Sequence, residues 1–400
     1  MRSTHAYQRM YPERALDDEG EEEVPVPVET RGAIIREAPG KFEVVDLVSD
    51  DPRPGEIQVK LAASGMCHSD DHLATGDIPV MHYPMAGGHE GAGIVTAVGA
   101  NTRGFQEGDH VVFSFLPACG RCRWCASGMS YLCDLGAGLL VGARFDDLES
   151  FRFTMSDGTP VGQMCGLGTF AGYTTVNAES AVKIPTDIPL EVACLTGCGV
   201  GTGWGSAVTA AKVAPGETVI VMGIGGIGIN AVQGAAYAGA SHVVAVDPVA
   251  FKREKAQEFG ATETFESMEE AAEFARSVTN GQGADKAIVT VGVTTGEHVA
   301  QAFSAIRKAG TVVVTGLGNI QEVGLPISLG ELTLFAKEIK GAMFGDSNPH
   351  ADILKMLRLY QEGHVKLDEL VTKRYSLDEV NQGYEDMHSG KNIRGVIVYD

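Results

Sequence analysis

Between Arg31 and about Thr175 the apolar positions fall in short β-rich runs, Phe42–Leu47, Glu56–Ala62, Gly93–Val98 and His110–Phe115, broken by Gly and Pro. Helical periodicity is scarce there, which predicts a mostly β unit. At Glu217 the texture changes. Thr218–Met222 reads as a buried strand, Gly228–Gly239 as a small-residue helix and His242–Val246 as a second strand. A helix over Phe251–Phe259, a strand over Lys286–Val291, a helix over His298–Lys308 and a strand over Thr311–Thr315 follow. Strand alternating with helix predicts a parallel sheet wound on both faces. An amphipathic helix, Ile353–Glu362, and a closing strand, Val396–Tyr399, end the chain.

Residues 1–30 stand apart as an extension, with an acidic run (Asp17, Asp18, Glu19, Glu21, Glu22, Glu23) followed by alternating Val and Pro. A solvated tail lying on a neighbouring subunit is the expected reading. Four hundred residues exceed one ordinary module, so two packed domains are expected. The apolar fraction of 44% is enough for a large core. The formal charge of −21 repels phosphate backbones and anionic lipid, which argues against nucleic-acid and membrane-surface roles. No apolar run reaches the ~18 residues of a membrane span and no secretory signal is evident, so a cytoplasmic location is expected. Disulfides are rare there. The eight cysteines are therefore read as metal ligands, nucleophiles or small buried residues.

Between the first strand and helix of the second half stands Met222-Gly223-Ile224-Gly225-Gly226-Ile227-Gly228. Gly223 permits a tight turn, Gly225 lets backbone approach a pyrophosphate, and Gly228 allows close helix–strand packing, with the phosphate charge at the helix N-terminus. Asp247 stands nineteen residues past Gly228, at the end of the next strand, placed to hold an adenosine ribose. An acid there repels a 2′-phosphate, so the pattern predicts a Rossmann domain binding NAD rather than NADP.

Cys119, Cys122, Cys125 and Cys133 put four thiols within fifteen residues of a turn-rich loop. That spacing suits a closed tetrahedral structural zinc site, with an iron–sulfur cluster the main competitor. A second, dispersed set comprises Cys67-His68-Ser69-Asp70-Asp71-His72, Gly88-His89-Glu90 and Cys198. A Cys–His–Cys set leaves the fourth zinc position open for substrate. Spacing alone does not make these residues converge.

Over about residues 31–399 these motifs, with Gly197-Cys198-Gly199 and Lys391-Asn392-Ile393-Arg394, resemble the zinc-dependent medium-chain alcohol dehydrogenases. Phe113-Ser114-Phe115-Leu116-Pro117, Asp134-Leu135-Gly136-Ala137-Gly138 and Val221-Met222-Gly223-Ile224-Gly225 resemble one branch. That branch is the nicotinoprotein enzymes assayed with N,N-dimethyl-4-nitrosoaniline and often associated with mycofactocin redox chemistry. The resemblance implies an α/β chain with a GroES-like mostly-β catalytic domain (31–199 and 343–400) and a Rossmann doubly wound coenzyme domain (200–342). It implies two zinc ions per subunit and NAD. Cys67, His89 and Cys198 then match the catalytic zinc ligands, Glu90 the carboxylate near the zinc that can assist ligand exchange, and Asp70 the acceptor that fixes the His89 tautomer. Ser69 and His72 match a proton relay. Thr202 falls beside the nicotinamide, Lys252 near the adenosine ribose, and Arg394 and His68 at the pyrophosphate. Where many members carry Arg, His68 would hold a cofactor less strongly. Phe115 and Ile78 fall on the substrate pocket, although a core role fits them equally.

The activity implied is oxidation of an alcohol, with NAD tightly bound and reoxidised in place by an external acceptor. The alternatives are an ordinary enzyme with exchangeable NAD or a dehydrogenase of hydroxymethyl-thiol adducts of formaldehyde. A sensor without turnover would not need the Ser69–His72 relay. A small-molecule alcohol or aldehyde, a mycofactocin-like acceptor and a homo-oligomer are the expected partners. Ser69 leaves room for larger or secondary alcohols.

Overall fold

In the computed structural model, which describes residues 27–400 apart from Glu322, the strands gather into three sheets. A small closed barrel joins Val28–Ile35, Glu43–Ser49, Phe153–Met155, Pro160–Gln163 and Met85–Ala86. Val28, Glu29 and Thr30, read from sequence as part of the extension, open its first strand opposite Ser49, Val48 and Leu47. The acidic run itself lies outside the described residues.

The second sheet is built around Glu56–Gly65, which pairs antiparallel with Glu90–Val98, Tyr173–Asn177 and Arg394–Val398. Every second residue of the central strand faces one of two cores, so Ile57, Val59 and Leu61 are fully or almost fully buried. The last strand of the chain thus returns to lie beside the strand that delivers Cys67. The third sheet is wholly parallel, in the spatial order Glu263–Phe265, His242–Val246, Thr218–Met222, Ala284–Val289, Ile306–Val314, Glu338–Gly341. Its order reverses at Thr218–Met222, which places the glycine turn at the point where such sheets open to a ligand.

Two expectations differ from the structure. The helix expected over His298–Lys308 spans Gly296–Ala305, and Ile306 already pairs with Ala284 as the next strand begins. Helix pattern and strand pattern overlap there, and the pairing with Ala284 takes the last turn. Within the β-rich half a helix, His68–Thr75, follows Cys67 and ends at Gly76 with φ +86°. Met268–Val278, unassigned from sequence, is a helix closed by a reciprocal Ser267–Glu270 capping box.

The loop 144–152 is fastened to the central strand by charge. Glu56 Oε1 accepts from Arg152 Nε at 2.7 Å and from Arg144 Nε at 3.1 Å, and all three side chains are buried. Removing one partner from such a cluster strands the remaining charges without water. Glu56→Ala is expected to lower unfolding free energy by about 3–5 kcal/mol, measured by urea denaturation of the metal-loaded protein. A loss under about 1 kcal/mol, the range of exposed pairs, would show that the cluster is solvated.

Candidate active site and metal centres

Cys67 follows the end of Glu56–Gly65, and His89 immediately precedes Glu90–Val98, with Gly65 opposite Glu90 across the ladder. Strand pairing therefore brings together two residues that are distant in sequence. Cys198 enters from a third stretch, just before the helix Gly199–Gly205. The chain approaches closely there: a Cβ on Gly197 would stand 1.9 Å from the Phe113 carbonyl oxygen. The donor atoms of Cys67, His89, Glu90 and Cys198 lie within 4.8 Å of one another, and all four residues are buried.

The electrostatics fit a cation. Asp70 Oδ1 accepts the Gly88 N–H at 2.8 Å, and Asp70 Oδ2 stands 2.9 Å from His89 Nδ1, which leaves Nε2 for the sulfurs. Contact with the Cys198 thiol, aided by His89, holds the Cys67 thiol well below its usual range, while the same contact pushes Cys198 up. Burial raises Asp70. Two sulfurs and an imidazole without other strong partners, in a buried cluster open to a cavity, are the donors of a three-ligand zinc site.

Glu90 is committed elsewhere. Its Oε1 accepts the Gly199 N–H at 2.8 Å and its Oε2 pairs with Arg394, whose Nη2 also donates to the Met66 carbonyl. Arg394, expected at the pyrophosphate, borders the fingerprint as well: a Cβ on Gly226 would fall 2.5 Å from Arg394 Cδ. Burial raises the Glu90 carboxyl despite that partner.

The four-cysteine lobe is a second cluster, its sulfurs also within 4.8 Å of one another. Backbone N–H groups point at sulfur, from Cys119 to Cys133, Cys122 to Cys119 and Cys125 to Cys122, each at 3.4 Å. Those from Cys125 and Asp134 hold the Cys122 thiol at about 6. Amides aimed at sulfur fit a closed tetrathiolate site.

At the parallel sheet the three fingerprint glycines have distinct roles. Gly223 has φ +89°, and a Cβ there would press 2.9 Å on the Val291 nitrogen. A Cβ on Gly228 would strike the Gly223 carbonyl oxygen at 1.8 Å, whereas Gly225 meets nothing within 4 Å. Backbone at Gly225 is therefore bare toward open space, the cradle a pyrophosphate requires. Gly226 and Ile227 border the same space. Asp247 is buried, accepting the Ile224 N–H at 2.8 Å and the Val249 N–H at 2.9 Å, with Lys252 Nζ 3.8 Å away.

One cavity of about 2090 Å³ joins the cysteine–histidine cluster, the fingerprint and Asp247. Ser69, His72, Ile78, Phe115, Thr202 and Arg394 also line it. The Thr202 hydroxyl is buried without a hydrogen-bond partner. The Phe115 ring lies 6.0 Å from His89 and 5.5 Å, edge to face, from Phe344. Ser69 Oγ is 3.9 Å from Cys67 Sγ. His68 faces Gly292 across the cleft and lies 3.6 Å from Asp71, and burial lowers its basicity.

Several lining residues carried no signal in the sequence. His388 donates to Asp71 at 2.8 Å, and Met81, Leu139, Leu140 and Phe344 form apolar wall. Cys165 is buried and also borders the cavity. Their proximity arises only from contacts between elements.

Residues 53–186 match the family model of the alcohol dehydrogenase GroES-like domain, and residues 226–362 match that of the zinc-binding dehydrogenases. The chain is 54% identical over 372 residues to an NDMA-dependent alcohol dehydrogenase of Amycolatopsis methanolica, covering 93% of this chain and 99% of the relative. Among solved structures, an alcohol dehydrogenase zinc-binding domain protein of Burkholderia ambifaria superposes with a TM-score of 0.87 at 31% identity, over 94% of this chain and 100% of that one. Benzyl alcohol dehydrogenase of Acinetobacter calcoaceticus gives 0.85 at 30% identity, over 93% and 100%. With a buried Cys–His–Cys set, a tetrathiolate lobe and a bare glycine cradle on one chain, the protein belongs to the zinc-dependent medium-chain alcohol dehydrogenases, enzymes that use zinc and NAD.

Proposed function

We propose that this enzyme oxidises an apolar alcohol with NAD held in place between turnovers, and that an external acceptor, rather than exchange of the cofactor, restores NAD. The observation that carries the reading is the single cavity in which the Cys67–His89–Cys198 cluster and the Gly225 cradle meet. When bound, zinc supplies a Lewis acid for the alcohol oxygen and NAD an acceptor for hydride. Cys67, His89 and Cys198 hold the metal, with Asp70 orienting His89, and the tetrathiolate lobe holds the second ion. Gly223, Gly225, Gly226, Ile227 and Gly228 form the pyrophosphate turn, Asp247 and Lys252 face the adenosine ribose, and Thr202 faces the nicotinamide.

On the protein side, Phe115, Ile78, Leu139 and Leu140 exclude water from the reacting end and favour an apolar substrate. Ser69 and His72 carry the alcohol proton away. Glu90, fixed by Arg394 and the Gly199 N–H, stabilises the cationic neighbourhood from behind the cluster. Retention of NAD is supported by the packing of Arg394 against Gly226, which ties the two halves of the cleft together. The activity in the name of the Amycolatopsis relative supports the same branch. We assign residues 31–199 and 343–400 to the catalytic domain and 200–342 to the coenzyme domain.

A homo-oligomer is part of the proposal. The parallel sheet ends at Glu338–Gly341, and in the segment before it Val323, Leu329 and Leu334 are 91%, 73% and 81% exposed. An edge strand and a preceding segment with exposed apolar side chains favour a second copy. Eight unpaired cysteines fit a reducing, cytoplasmic setting.

Purified protein dialysed exhaustively is expected to release about one NAD(H) per subunit on acid treatment, as tight binding requires. An empty protein that oxidises alcohols only with added NAD would overturn in-place reoxidation and leave the zinc chemistry standing. Cys198→Ser is expected to cut turnover at least about a thousandfold, several kcal/mol of barrier, and to lower zinc from two ions per subunit to one by atomic emission. Near-normal activity with both ions retained would reject the ligand set.

A further inference from the structure

Five residues after Cys67, His72 sits on the helix His68–Thr75 with its side chain only 3% exposed. Both of its ring nitrogens face acceptors. Nδ1 lies 3.1 Å from Asp77 Oδ2, and Nε2 lies 3.1 Å from the Gly292 carbonyl oxygen of the opposite domain. A neutral imidazole has one N–H and can satisfy only one of them; the imidazolium satisfies both.

The carboxylate is there because of how the helix ends. Gly76 takes φ +86°, its N–H bonds the His72 carbonyl at 3.0 Å, and the Ile78 N–H approaches the same carbonyl. That reversal folds Asp77 back under the histidine it follows. The Thr75 hydroxyl donates to the same Asp77 oxygen at 2.7 Å and fixes the carboxylate rotamer. The side chain of Asp77 remains 40% exposed.

Resting on the relay reading given above, we propose that Asp77 is the positioning residue of that relay. It holds the Nδ1–H of His72, directs the Nε2 lone pair into the cleft, and with the Gly292 carbonyl stabilises the imidazolium that forms. The step balances simply. The alcohol O–H bond breaks, its electron pair stays on oxygen, and the proton ends on His72 Nε2. Asp77 stays ionised throughout, and later loss of one proton to water resets the ring. The other charged groups near the ring are His68, whose ring centroid is 4.8 Å away, and Asp71, which His68 and His388 share. Hydrogen bonds from Thr75 and then His72 hold the Asp77 carboxyl below its usual range, so it is ionised wherever the enzyme works.

The test uses ¹⁵N-histidine-labelled enzyme with its zinc and NAD, the His72 signals being identified by their loss in His72→Gln. Neutral His72 is expected as the Nδ1–H tautomer. In Asp77→Ala the Nε2–H form should take over, since the Gly292 carbonyl is then the remaining acceptor. A wild-type Nε2–H tautomer, or one unchanged in Asp77→Ala, overturns the proposal. The kinetic arm measures kcat/KM with benzyl alcohol and N,N-dimethyl-4-nitrosoaniline. Asp77→Asn removes the carboxylate that pairs with the imidazolium, and kcat/KM falls about three- to tenfold. An unchanged kcat/KM shows Asp77 to be only a helix-end brace and rejects the proposal. Full activity in His72→Gln rejects the relay reading instead, whatever the tautomer.

Discussion

The buried ion pair between Glu90 and Arg394 is the joint on which the site depends. Arg394 comes from the last strand of the chain, Glu90 from the strand that carries His89, and between them they hold the Gly199 N–H and the Met66 carbonyl. Those two backbone groups flank Cys198 and Cys67. Arg394 also packs on Gly226, so one guanidinium touches the metal cluster's supports and the glycine turn of the other domain. Two desolvated charges need accurate geometry to offset the loss of water. The surrounding glycines allow it: a Cβ on Gly65 would overlap Glu90 Oε2 at 2.0 Å, and one on Gly199 would overlap Arg394 Nη1 at 2.1 Å.

With both oxygens of Glu90 engaged, Cys67, His89 and Cys198 are the donors left facing the cavity. The chemistry follows from the contrast between the two cysteine clusters. In the lobe, four sulfurs meet one another and backbone amides, and nothing is left for a substrate. In the cleft, two sulfurs and one imidazole face a large cavity whose wall is aromatic and aliphatic. One is built for holding a fold, the other for exchanging a ligand.

The proposed proton relay rests on a different constraint, the end of a two-turn helix. A left-handed glycine folds a carboxylate back under a histidine, and the facing domain adds a carbonyl to the other ring nitrogen.

Local sequence by itself determined the four inner strands of the parallel sheet, the glycine turn with its acid at Asp247, and the four-thiol lobe, because each is specified within a short stretch by periodicity or spacing; the edge strands Glu263–Phe265 and Glu338–Gly341 carried no such pattern. Thr218–Met222 and His242–Val246 fall where the pattern puts them for that reason. The grouping of Cys67, His89 and Cys198 was legible only by resemblance: they lie on three stretches, and no local pattern encodes an antiparallel ladder. Tertiary structure alone decided that Glu90 serves Arg394, that His388 joins Asp71, and that Cys165 borders the cavity. It also shortened the helix at Ala305, where pairing of Ile306 with Ala284 overrode the helical pattern. These are contacts between elements, set by how glycine-lined surfaces let the two domains close on each other, and that closeness is not written in any one segment.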